Sequence, residues 1–270
     1  MVAAANPTTA IRVINMADSV SRREAFTKLA NGTKLDWAFF PAHTGLAEPL
    51  RYDERIATRR CGRSLSPSEI GCYASHFKLW EWLATSDYDQ AIIFEDDIFV
   101  DWWTIEQLAL NSFAEYGIDI LRLYITHPFH WNIVKYRLLS PHTHLVMPLG
   151  MTFGGQGYLL TNRAARVLVS NYSVAAAPVD WVLSRYWEHR LPTYCVFPFP
   201  VIELHGDSTI GDNRHAVPQR TVSDRIARAG WRIRDRVGRA YVERCLMKKY
   251  PLGPTEDSGP PFLQHKIVNS

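Results

Sequence analysis

Apolar residues along the chain fall in short runs broken by polar segments, and the spacing within each run predicts its conformation. Residues 11–15 (IRVIN) form a short apolar run that fits a buried strand. A helix is expected directly after it over 18–30, with Ser19 or Ser21 as N-cap and Phe26, Leu29 and Ala30 facing inward. A strand followed at once by a helix opens an α/β unit. Residues 37–40 read as a second strand, and 45–62 have no clear period and read as loop. Ser66-Pro67-Ser68-Glu69 is a helix start, with Ser66 as cap, Pro67 at the first helical position and Glu69 completing a capping box. Ile70, Tyr73 or Ala74, Phe77 and Trp80 then recur at helical spacing. Residues 91–94 (AIIF) make a short strand with acidic residues immediately behind it. Further strands are expected at 120–124 and 158–160, the second followed by Thr161 as cap of another helix. Residues 180–189 read as helix, and 195–203 as an extended segment that its prolines push to an edge. Residues 220–249 read as basic helix, with Gly230 and Gly238 favouring two short pieces over one.

Length and composition narrow the class. The chain has 270 residues, 47% of them apolar, which suffices for one large core. Proline and glycine usage is ordinary, which excludes fibrous and wholly disordered classes. Cys61, Cys72, Cys195 and Cys245 form no C-x-x-C pair and no zinc spacing, so reduced thiols in a cytosolic setting are expected. Residues 1–10 carry no signal-peptide pattern, and no apolar run reaches membrane-spanning length. The expected division is a flexible N-terminus at 1–10, a catalytic domain at 11–217, a basic helical segment at 218–250 and a loosely ordered tail at 251–270.

Charge sets the C-terminal segment apart. Ten Arg/Lys and three acids lie within residues 219–250, so that segment is +7 and the rest of the +3 chain is −4. Ile226, Ile233, Val237 and Tyr241 follow one another at spacings of seven, four and four, which puts them on one helical face. A basic amphipathic helix of this kind can lie in a membrane interface, each Lys/Arg adding roughly 1 kcal/mol beside an anionic surface. The alternative is that the apolar face packs on the catalytic domain and the arginines are solvated. No nucleic-acid motif lies upstream, so no nucleic-acid partner is expected.

The sharpest chemical signal is Glu95-Asp96-Asp97, placed directly after the 91–94 strand. Three carboxylates at the end of a buried strand repel one another unless a cation or water intervenes. Ligands of open α/β sheets bind at that end of the strands. Alternation along an extended chain lets Glu95 and Asp97 converge while Asp96 faces elsewhere. Hard oxygen donors suit Mn²⁺ or Mg²⁺, held together with substrate phosphate oxygens. A solvated acidic turn is the plainer alternative.

In order along the chain stand IRVINMADSVSRR (11–23), LSPSEIGCYASHFKLW (65–80), the acidic triplet, GGQGYLLT (154–161) and PVDWVL (178–183). Taken together, over residues 11–210, they resemble glycosyltransferase family 25, the lipopolysaccharide and lipooligosaccharide sugar transferases related to collagen galactosyltransferases. The helix carrying Gly71, Ser75 and His76, followed by the triplet, is the most specific part. The resemblance implies an α/β, GT-A-like (Rossmann-related) mixed sheet flanked by helices, here with a basic helical C-terminal extension. It implies a UDP-sugar donor, commonly UDP-galactose, inversion at the anomeric carbon, and Glu95 and Asp97 in the place of a DxD-type metal motif, with glutamate for the first aspartate.

The same resemblance assigns further roles. Asn15, Arg22 and Arg23, at the exit of the first strand, are expected to hold the nucleotide and diphosphate, an arginine neutralising phosphate. Ser75, His76 and Asp96 are expected beside the donor. From the residues themselves, Gly154, Gly155 and Gly157 would let backbone approach a ligand, with Gln156 and Tyr158 against a sugar; a tight turn is the alternative reading of the same glycines. Asp180 reads from local sequence as a helix cap; the resemblance makes it the base that takes the acceptor hydroxyl proton. Trp181 beside it is an acceptor platform or a core residue. His205, or Asp207 in its stead, is expected to complete the metal shell. The implied reaction moves galactose from UDP-galactose to a lipid-linked oligosaccharide on the cytosolic face of the inner membrane, with the enzyme cytoplasmic or peripheral there. A metal-dependent phosphate-processing enzyme and an inactive sugar-nucleotide or glycan-binding module are the rival readings.

Overall fold

The centre of the fold is an eight-stranded mixed sheet in a computed structural model that describes residues 6–204 and 221–249. In chain order the elements begin β1 (Thr9–Asn15), α1 (Val20–Leu29), β2 (Trp37–Pro41), β3 (Arg51–Tyr52), α2 (Glu54–Cys61), α3 (Pro67–Thr85) and β4 (Gln90–Glu95). They continue with β5 (Ile98–Val100), α4 (Trp102–Ala109), β6 (Ile120–Arg122), β7 (His130–Lys135), β8 (His144–Leu149) and β9 (Gly157–Thr161). The remainder is α5 (Asn162–Asn171), β10 (Val174–Ala175), α6 (Val179–Ser184), α7 (Tyr186–His189), β11 (Thr193–Phe197), β12 (Val201–Glu203) and α8 (Val222–Lys249).

The sheet order is β2-β1-β4-β9-β6-β11-β8-β7. β2, β1 and β4 are mutually parallel, β9 is antiparallel to both β4 and β6, and β11 is parallel to β6. The expected mixed sheet between helices is therefore present. Alternation explains the two cores. Ala91 and Ile93 of β4 face a layer containing Tyr73, Phe77 and Trp80 of α3 and Leu168 of α5. Ile92 and Phe94 face Phe26 of α1 and Ile105 and Leu108 of α4. A strand covered on both faces reads as a continuous apolar run, as AIIF does.

The local signals acted largely as expected. Ser66 accepts from the Glu69 backbone N–H at 3.2 Å, and Glu69 accepts from the Ser66 N–H at 2.9 Å, closing the capping box. Thr161 caps α5 through the Ala164 N–H. Ser19 occupies the N-cap of α1 without a side-chain capping bond.

Several expectations require correction. Thr9 and Ala10, read as flexible, start β1, because Thr9 and Ala10 pair with Gln90 and Ala91 of β4. The 45–62 segment contains α2, whose sequence is too polar to show a period but which Asp53 caps and Gly62 ends in a left-handed conformation. The 180–189 helix is two pieces, broken at Arg185. α8 is one helix, Gly230 and Gly238 notwithstanding; Thr221 Oγ1 accepts from the Asp224 N–H at its start, and its docking described below holds the middle. Residues 1–5, the boundary expected near 217 and the tail 251–270 lie outside the described residues. No helix among the described residues is long and apolar enough to cross a membrane.

Candidate functional site

Sheet polarity brings the site together. The carboxyl ends of the parallel strands β1 and β4 deliver Asn15 and Glu95 to the same edge. β9 runs the other way, so its first residue, Gly157, pairs with Phe94, and the glycine-rich loop before it arrives beside the acidic triplet. The Glu95 N–H donates to the Gln156 carbonyl at 3.0 Å, locking loop to triplet. A cavity of about 850 Å³ opens here, lined among others by Arg22, Ser75, His76, Glu95, Asp96, Asp97, Gly155, Gln156, Asp180 and Trp181.

The three carboxylates all line this cavity, so Asp96 does not turn away as alternation alone suggested. The chain turns after Glu95, where β4 ends. Asn15 donates to Asp96 at 2.6 Å and accepts from Arg23 Nε at 3.0 Å. Arg23 stacks over Phe39. Arg23 and Asn15 thus brace Asp96, and neither is among the residues lining the cavity. Arg22 does line it and bridges Asp96 and Asp97, each at 3.2 Å. Burial first, then the charge on Glu95, pushes Asp97 up to about 6. Asp97 Oδ1 is buried without a hydrogen-bond partner. An orphaned oxygen among mutually repelling carboxylates fits a hard divalent cation, with Glu95 and Asp97 as donors. His205, expected as a further ligand, and Asp207 lie outside the described residues.

Ser75 and His76 come from the buried face of α3. Ser75 Oγ accepts from the His43 N–H at 2.8 Å and donates to the Gly71 carbonyl at 2.8 Å, so it ties a loop to the helix. His76 Nδ1 lies 2.9 Å from the Tyr158 hydroxyl, which also accepts from Trp80 Nε1 at 2.8 Å. Indole nitrogen only donates, and His76 Nδ1 is the one acceptor within reach of the tyrosine proton among the described residues, so that proton goes to His76 Nδ1. The remaining proton of a neutral His76 then sits on Nε2, buried, 3.5 Å from Glu95 Oε1. Tyr158 is wholly buried and does not touch the cavity, a correction to its expected sugar contact. Cys72, His76 and Glu95 offer ligand atoms within 4.8 Å of one another. The protonated Nε2 and a Cys72 thiol raised by burial both oppose ion binding by that trio. Tyr158→Phe is expected to leave the Trp80 and His76 nitrogens unpaired and to lower stability by about 1–3 kcal/mol, read by urea denaturation.

Asp180 sits inside the first turn of α6, one position past Val179, and is not its cap. It accepts from the Gly154 N–H at 3.2 Å and from the Trp181 N–H at 2.9 Å. Burial raises its carboxyl above the usual range, against the lowering effect of those bonds and of Arg122. Arg122, which sequence reasoning missed, is completely buried in β6 and donates to the Gly154 carbonyl. One residue, Gly154, therefore links Arg122 through its carbonyl to Asp180 through its N–H, and φ +107° there makes glycine the residue for it. At Gly155 a Cβ would stand 3.1 Å from Glu95 Oε1, too close for comfort at the heart of the site. Arg63 also lines the cavity, held by a two-point pair to Glu69 at 2.7 and 2.6 Å. The signal for Arg122 was present as a lone cation inside the apolar run ILRLY.

These features define a class: a Rossmann-related α/β protein with an acid-rich ligand cavity at its strand ends. The profile of glycosyltransferase family 25 (LPS biosynthesis protein) matches residues 8–183, and the chain belongs to that family. Among its relatives is a Bos taurus protein named probable inactive glycosyltransferase 25 family member 3, 43% identical over 37 residues, covering 14% of this chain and 6% of that one. A Haemophilus influenzae lipooligosaccharide biosynthesis protein is 22% identical over 161 residues, 58% of this chain and 60% of the relative. A Neisseria meningitidis lacto-N-neotetraose biosynthesis glycosyltransferase is 24% identical over 198 residues, 69% of this chain and 71% of the relative. The chain thus spans less than two thirds of the first two relatives. A Drosophila β-galactosyltransferase solved with manganese, UDP-Gal and xylobiose aligns at TM-score 0.32 and 10% identity, over 82% of this chain and 79% of that one.

Proposed function

We propose that the cavity transfers a sugar, galactose in the first instance, from a UDP-sugar to a hydroxyl of a lipopolysaccharide-type, lipid-linked acceptor, with inversion in a GT-A-like fold. The observation that carries this reading is the meeting of Glu95, Asp96, Asp97 and Arg22 with the buried carboxylate Asp180 in one cavity. Glu95 and Asp97 would hold Mn²⁺ or Mg²⁺, which when bound offsets charge on the departing diphosphate. Arg22 adds a fixed positive charge beside the same carboxylates. Asp180, fixed by two backbone N–H groups, takes the proton of the attacking hydroxyl. Asn15 and Arg23 act one step back by bracing Asp96, while Ser75 and His76 hold the α3 wall. Gln156 and Gly155 lie where donor sugar or phosphate would pass. The work would take place at the cytosolic face of the inner membrane, where a lipid-linked acceptor is presented.

UDP release from a panel of UDP-sugars, with and without Mn²⁺ and an acceptor oligosaccharide, tests this directly. Release is expected to need both metal and acceptor, to be fastest with UDP-galactose, and to give a β-anomer by proton NMR coupling. Phosphate release without acceptor would favour a phosphate-processing enzyme, and donor binding without turnover an inactive module.

A further inference from the structure

α8 docks on the rest of the protein by its charged side. Asp224 pairs with Arg59 at 3.0 Å. Asp235 accepts from Arg185 at 2.6 Å and from Trp187 Nε1 at 2.8 Å. Glu243 accepts from the Gly150 N–H at 2.7 Å and from the Tyr186 hydroxyl at 2.8 Å. Trp231 stacks under Arg60 and Arg185. All three acids of the helix are thus spent on the inward side.

The outward side is left apolar. Val222, Ile226, Ile233, Val237 and Tyr241 are 72, 69, 65, 63 and 64% exposed. Their spacings of four, seven, four and four place them on a single stripe. By the same period, Arg225, Arg232 and Arg236 run along one edge of the stripe and Arg234 lies on the other; all four are exposed. An isolated exposed apolar side chain is unremarkable, but a row of five on one helix marks a binding surface. Sequence alone left open whether this face packed inward, and it does not.

We propose that the outer face of α8 seats the protein on an anionic lipid bilayer, the stripe entering the interface and the flanking arginines meeting lipid phosphates. The charges select this occupant over a second copy of the chain. Two such faces brought together would confront exposed arginines with arginines, with no exposed carboxylate on α8 to separate them. An anionic surface matches both the stripe and its edges. The helix also packs on residues next to the cavity lining. Arg185 stacks on both Trp231 of α8 and Trp181 of the cavity, and Glu243 holds Gly150, which starts the loop leading to Gly154. Seating α8 would therefore hold the catalytic body at the bilayer through these contacts. This deepens the lipid-linked-acceptor reading by naming the surface, yet its test needs no turnover.

The test is co-sedimentation of the full chain with phosphatidylcholine vesicles and with vesicles containing phosphatidylglycerol, alongside Ile226→Gln/Ile233→Gln/Val237→Gln and Arg225→Gln/Arg232→Gln/Arg236→Gln. Unaltered protein is expected to bind the anionic vesicles at low salt at least tenfold more tightly than neutral ones. Each triple variant is expected to lose about tenfold or more of that binding while keeping its thermal midpoint and its UDP-sugar affinity. Equal binding of the glutamine-for-apolar variant and the unaltered chain would overturn the proposal. So would equal partitioning to neutral and anionic vesicles, or a dimer in light scattering that this variant dissociates. Vesicle binding with no sugar transfer would leave this inference standing and count against the catalytic reading alone.

Discussion

Asp97→Asn is expected to abolish metal-dependent donor turnover and, in the metal-free protein at pH 8, to raise the melting temperature. The first effect follows from removing a charged oxygen donor from the site that offsets charge on the departing diphosphate; a loss on the order of 10²-fold or more is the usual scale. The second follows from the sign of the Asp97 shift. Its carboxyl stands at about 6 in the folded chain against an ordinary 3.8. A raised carboxylate contributes stability that is fully present below its unfolded value and lost as pH rises through the folded one. Metal-free protein should therefore weaken between about pH 4 and pH 7, by on the order of 1–3 kcal/mol. Asparagine cannot ionise and removes the penalty. Melting curves in EDTA at pH 5 and pH 8, set beside Mn²⁺-dependent UDP release, read both effects. Full activity of the variant, or of unaltered protein in EDTA, would sink the metal assignment.

Asp180→Asn should keep donor binding and lose transfer by about 10²-fold or more, the scale of general-base loss. Gly154 and Trp181 donate to different carboxylate oxygens, so the amide oxygen keeps one of the two bonds and the anchor is weakened without being removed. The capacity to take a proton disappears altogether. Because burial raises the Asp180 carboxyl, transfer by unaltered protein should climb with pH as that carboxyl ionises and then level off. The variant should lack this limb. Calorimetry with UDP, single-turnover transfer and a thermal melt separate the alternatives. A variant that no longer binds UDP, or melts much earlier, would make Asp180 a structural residue.

What the sequence made legible was whatever rests on local rules. The 66–69 capping box, the AIIF strand and the Thr161 cap depend on neighbours a few residues away, and periodicity finds them. α2 escaped because its stability comes from Asp53, Gly62 and contact with α8 more than from an apolar stripe. β7 and β8 escaped because β11 is remote in sequence and the connection between β7 and β8, with Ser140-Pro141 but no glycine or asparagine, lacks the signature of a tight hairpin. Site residues named from the motif order do gather around one cavity, with Asn15 and Arg23 behind its wall and His205 outside the described residues. The roles that needed three dimensions were hidden: the Trp80–Tyr158–His76 chain, Gly154 standing between Arg122 and Asp180, and the inward acids of α8.

The strand order also governs how the chain can assemble as it is made. β4 needs β9 on its open side, and β6 has only β9 and β11 as neighbours. About 60 residues separate the end of β4 from the start of β9. At a synthesis rate of about 5–20 residues per second, the nascent chain carries a bare, apolar β4 edge for roughly 3–12 s. An unpaired apolar edge is a template for pairing with another chain. The price of placing an antiparallel strand in mid-sheet, and with it the glycine loop beside the acids, is a window of aggregation risk on the ribosome that closes only when residue 161 has emerged.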